Sequence, residues 1–183
     1  MKKVILLFLI TCIYSCVCNN NQVSETLINS SDKAFLNNEI KEVKFIDQDG
    51  NNVLANYDNP NFQLFNFEDG PESCGYHTIE QGIQKIKIGK YEGIIGVHEL
   101  TQLTITLDNF VAKNYVQIIN VKHGLENNTQ NIEILDTMYN NVLVLENPLK
   151  EGIWDVEKIL YSKENGIELI LFKNGNWYKR NNL

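Results

Sequence analysis

Asp69-Gly-Pro-Glu-Ser-Cys-Gly-Tyr-His77, continuing as Thr78-Ile-Glu-Gln-Gly-Ile-Gln-Lys-Ile86, holds the strongest local signal in the chain. Turn residues fill its first half, and after them Ile79, Ile83 and Ile86 recur at helical spacing. This pattern predicts a helix opened by Cys74. A cysteine there faces unpaired backbone N–H groups and the positive end of the helix dipole, both of which favour thiolate over thiol. The same N–H groups can stabilise an oxyanion on a substrate carbonyl.

Downstream, Leu100, Leu103, Leu107, Phe110 and Val111 predict a second helix, ending near Lys113. The period then changes to two. Tyr115 to Val121 and Ile132 to Leu135 read as strands paired across the polar loop 123–131, with Val142 to Glu146 as a third strand. Trp154 to Tyr161 reads as one more helix. Two hairpins are expected: Glu39 to Phe45 with Val53 to Ala55, turned at Asp47–Asn51, and Ile167 to Phe172 with Trp177-Tyr178, turned at Asn174-Gly-Asn176. Phe62 to Phe67 is aromatic-rich and reads as extended. No internal repeat and no glycine-rich phosphate loop is present in the sequence.

The start of the chain sets a compartment. Lys2 and Lys3 precede the apolar run Val4 to Ile13, which has the length of a signal-peptide core rather than of a spanning helix. Ile13-Tyr-Ser-Cys16 resembles the lipobox of bacterial lipoproteins. The resemblance implies that Cys16 is acylated and becomes the mature N-terminus, held on a membrane by its lipid. The expected organisation is a signal over 1–15, a flexible tether over 16–35 and a single α+β domain over 36–183. An ordinary cleaved signal is the alternative, and either way the protein is exported.

The 183 residues carry a net charge of -7 and a pI near 5.0. With no Lys/Arg cluster, nucleic acid is disfavoured as a partner. The four cysteines and three histidines show no metal-binding spacing, so no metal and no cofactor is expected. Cys74 also has a structural reading, as half of a disulfide to Cys18. Trp154, Trp177 and Tyr178 are candidates for a sugar-stacking platform or, more simply, for core and hairpin pairs.

Ser73-Cys74-Gly75 at a loop-to-helix junction resembles the nucleophile motif of the papain-like cysteine peptidase superfamily, in its C39-type branches. Cys74-Gly-Tyr-His77 is similar to the helix start of Josephin-type deubiquitinases. The resemblance implies an α+β papain-like fold, with the nucleophile helix packed on an antiparallel sheet, and a peptide or protein substrate. It also implies roles: Cys74 as nucleophile, Asp136 as the carboxylate that orients the base, and Gln63, Asn66 or Glu68, with Asn66 preferred, in the place of the oxyanion donor. Asn114 stands where the resemblance places the catalytic His. That leaves the triad without its base unless His77, three residues past Cys74, or else His98 or His123 supplies one. An exported, lipid-anchored peptidase homologue, active or inactive, is one reading. A non-catalytic surface lipoprotein acting as a binding module is the other.

Overall fold

The computed structural model describes residues 21–68, 75–98, 102–108, 113–117, 124–147 and 156–181, and they fold almost entirely as β-structure. The strands are β1 Asn21–Thr26, β2 Glu42–Asp47, β3 Asn52–Tyr57, β4 Asn61–Glu68, β5 Gly75–Ile88, β6 Tyr91–His98 and β7 Gln102–Asp108. They continue as β8 Lys113–Gln117, β9 Gln130–Ile134, β10 Thr137–Glu146, β11 Val156–Ser162, β12 Gly166–Phe172 and β13 Trp177–Arg180. A single short helix, α1 Ser30–Lys33, and a 3-10 turn at Glu126–Asn128 complete the described elements.

Two compact units are formed, a small one from 21–26, 65–68 and 75–79 and a large one from 27–64 and 80–181. In the large unit the strands follow the order β8-β7-β6-β5-β3-β2-β13-β12-β11-β10-β9, antiparallel at each neighbour. β8, at one end of this order, comes against β10 and β11 near the other. The sheet thus rolls over its own core. Phe35, Phe45, Ile95, Leu143 and Tyr161 are among the largest side chains buried there. A second apolar cluster, Tyr139, Val142, Leu160 and Leu169, lies apart from the first.

The papain-like α+β expectation is overturned: no nucleophile helix exists among the described residues, and three expected helices are strands. Ile79, Ile83 and Ile86 belong to β5, whose buried positions in fact alternate as Thr78, Glu80, Gly82, Gln84, Ile86 and Ile88. The polar members of the large-unit part of that set are satisfied from distant chain. Glu80 accepts from Ile28 N at 3.0 Å and pairs with Lys33 Nζ at 2.6 Å, while Gln84 Nε2 donates to the carbonyls of Asn37 and Asp58 at 3.0 and 2.9 Å. Leu103, Ile105 and Leu107 are buried in β7 with Thr104 and Thr106 between them, a period of two that β-branched residues favour. The segment expected as a helix over Trp154 to Tyr161 supplies β11 from Val156 onward.

The expected strand pair around 123–131 is also replaced. β8 pairs with β7 and β9 with β10, so the two strands belong to different hairpins. The hairpins β2–β3 and β12–β13 form as their turn residues imply. Asp47 Oδ1 closes the first by accepting from Asp49 N and Asn51 N at 3.0 and 2.8 Å, with Gly50 at φ 81°. The stretch read as a tether contains β1 and α1.

Candidate functional site

Of the residues singled out by the resemblance, Asp136, Asn114, His77 and Asn66 are among the described ones. Cys74 and Cys16 lie outside the described residues. Asp136 is the second residue of the two-residue turn between β9 and β10, where Leu135 and Asp136 take φ of 52° and 53°. Asn114 lies on β8, opposite Leu107 of β7. His77 lies on β5 in the small unit, with its Nδ1 2.6 Å from Ser24 Oγ on β1. Asn66, on β4, accepts a hydrogen bond from Thr78 Oγ1 at 3.0 Å, so its carboxamide oxygen is engaged in joining strands. Among the described residues, no group of His, Cys, Asp and Glu is placed to hold a metal ion.

Of the other histidines, His98 ends β6 and lies 3.3 Å from Thr104 Oγ1, with burial holding its pKa below the ordinary value. His123 and Trp154 lie outside the described residues. Trp177 and Tyr178 do not form an exposed platform. Trp177 packs against the second apolar cluster, and Tyr178 sets its ring edge against Phe172 and Tyr91 at centroid distances of 5.1 and 6.2 Å.

Concave surface is found instead in the large unit, in an open groove of about 630 Å³. Four separate segments line it: α1 with Ala34, the bend Leu36 to Glu39, the stretch Asn59 to Phe62, and the β11–β12 turn at Lys163-Glu164. Local chemistry places each. Asn29 caps α1, its side chain accepting from Asp32 N at 2.8 Å. Asp32, almost wholly buried, accepts from Leu125 N at 2.9 Å and so pins the helix to the body. Gln84, by donating to both the Asn37 and Asp58 carbonyls, holds the bend and the chain entering Asn59 to one point.

Phe62 lies down against β5 because residue 82 is glycine. A Cβ at Gly82 would come within 2.6 Å of the ring. Lys33 Nζ stands 5.2 Å from the ring centroid and is neutralised by Glu80, so the ring is not an open stacking surface. Lys163 is likewise paired with Glu126. Among the described residues the carboxylates of Glu39 and Glu164 have no ion-pair partner, and both side chains stand exposed at the groove. Asn37 is engaged, its Oδ1 accepting from Glu39 N and its Nδ2 donating to the Glu164 carbonyl, and Asn59 Oδ1 accepts from Lys41 Nζ, so the groove offers chiefly the Asn38 amide together with the carboxylates of Glu39 and Glu164.

Sequence reasoning passed over this groove because its lining comes from turns. Asn37-Asn38, Asn59-Pro60 and Lys163 to Gly166 carry turn signals, which mark loops without indicating which loops converge. Comparison with protein-family models, with curated proteins and with solved structures finds no match for this chain, so its own geometry is what bears on its function.

Proposed function

We propose that the protein is an exported, lipid-anchored binding lipoprotein that captures a basic peptide segment, without catalysing a reaction on it. The groove between α1 and the β11–β12 turn carries this reading. Its Asn38 amide, a donor and an acceptor in one group, suits a peptide backbone, which carries both. Its unpaired Glu39 and Glu164 suit lysine or arginine side chains. The net charge of -7 acts in the same direction by steering cationic ligands toward the protein and nucleic acid away from it. Acylation at Cys16 supplies the membrane attachment.

The test uses the full chain purified from membranes and a displayed random peptide library. Selected peptides are expected to be enriched in Lys and Arg. Ala34→Trp, which places a large ring on an exposed lining position, is expected to weaken their capture at least about tenfold, and the pair Glu39→Gln with Glu164→Gln to remove the basic preference. Equal capture by Ala34→Trp would exclude the groove. Attachment is read separately: mass spectrometry of the N-terminal peptide should find acylated Cys16, and Cys16→Ser should move the protein to the soluble fraction.

A further inference from the structure

The small unit is a three-stranded ribbon in which β1 and β4 flank the start of β5. Its two outer strands leave apolar side chains in water. Every residue of β1 is exposed, and of the β4 residues in this unit only Phe65 is partly buried. Val23 on β1 is 60% exposed and Phe67 on β4 is 47% exposed. Each outer strand therefore presents one exposed apolar side chain on an open sheet edge.

The strands are nonetheless held in place. β1 pairs in parallel with β5, and Val23 sits so closely over Gly75 that a Cβ there would meet its Cγ2 at 2.2 Å. Ser24 with His77, and Asn66 with Thr78, tie β1 and β4 to β5 by side-chain hydrogen bonds. The apolar groups are thus presented on ordered backbone.

β1 begins five residues after Cys16. Even fully extended, that length of chain spans no more than about 18 Å, and Val23 can stand no more than about 25 Å from the acylated residue. Resting on the lipoprotein reading of Cys16, we infer that the small unit seats Val23 and Phe67 in the interface of the same membrane that holds the anchor. The occupant of this surface is lipid. Aromatic and aliphatic side chains gain by leaving water at the acyl boundary, and their contact adds to an anchor already in place. The acidic balance of the chain means that apolar insertion, rather than attraction to anionic headgroups, supplies the contact.

The experiment reconstitutes the full, lipidated chain in phosphatidylcholine vesicles with and without doxyl-labelled phosphatidylcholine. Fluorescence is read from Phe67→Trp and, separately, from Val23→Trp, against the background of Trp154 and Trp177 in the unaltered chain. Both substitutions are at exposed positions. Each introduced indole is expected to lose roughly half or more of its added emission to a shallow doxyl label, as its place at the acyl boundary requires. If Cys16 is acylated and the chain sits on the vesicles but neither indole is quenched, the inference is overturned while the anchor stands. If Cys16 carries no lipid, the anchor reading fails and the inference falls with it. Unquenched indoles together with crosslinked dimers would assign the surface to a second copy and likewise overturn it.

Discussion

Replacing Tyr139 with Phe is expected to stabilise the protein. The Tyr139 side chain is only 8% exposed, and its hydroxyl makes no hydrogen bond among the described residues. An unpaired buried hydroxyl costs about 1–3 kcal/mol, so removing it while keeping the ring should return about 1 kcal/mol. Tyr161 supplies the contrast. Its hydroxyl, also buried, donates to the Phe35 carbonyl, and Tyr161→Phe leaves that oxygen without its donor, at a cost of about 1–2 kcal/mol. The same atom deleted from the same residue type should therefore move stability in opposite directions. Urea unfolding of the two variants, compared at unchanged slope, reads the difference, and for a chain of this length Tyr139→Phe should raise Tm by about 2–4 °C.

A pH series adds a second check. Burial first, and the Glu168 carboxylate second, push the Tyr139 hydroxyl up to about 12. A folded pKa above the unfolded value of about 10 gives stability that is complete below about pH 10 and lost as pH rises toward the folded value. The advantage of Tyr139→Phe should thus widen above about pH 10. A loss of stability for Tyr139→Phe comparable to that of Tyr161→Phe would refute the reasoning, because it would require a partner for the Tyr139 hydroxyl.

Gly93→Ala should destabilise by about 3 kcal/mol, since its Cβ would fall 1.9 Å from the Thr106 carbonyl oxygen of the paired strand; a thermal melt within about 2 °C of the parent would contradict this. The double change Leu135→Asn with Asp136→Gly should stabilise by about 1 kcal/mol in chemical denaturation, because both positions take positive φ in a two-residue hairpin turn that favours Asn-Gly; a loss would show that Leu135 contributes packing instead. His98 has a folded pKa lowered by burial, so its contribution is complete above the unfolded value of about 6.5 and is lost as pH falls through the folded one; His98→Gln should flatten stability against pH in that window, and an unchanged pH profile would contradict the assignment.

What the chain alone determined is what neighbouring residues decide among themselves. The turn at Asp47–Asn51 and the one at Asn174-Gly-Asn176 are each closed by their own side chains and glycines, so the β2–β3 and β12–β13 hairpins were legible. The extended character of β4 and the strand Val142 to Glu146 within β10 followed from composition. Leu103-Thr-Ile-Thr-Leu107 was also legible in principle, but a helical spacing drawn from Leu103 and Leu107 passed over Ile105 between them.

The tertiary structure alone decided β5, and with it the fold class. Glu80 and Gln84 occupy buried positions that local patterning assigns to a solvent face, and their burial is stable because Ile28, Lys33, Asn37 and Asp58 satisfy them from far along the chain. Likewise the groove exists only once four separate segments meet, and Glu39 and Glu164 become neighbours of a common space through strand order rather than spacing. A hydrogen bond to a distant carbonyl leaves no periodic mark in the sequence, whereas a turn carries its partners within a few residues.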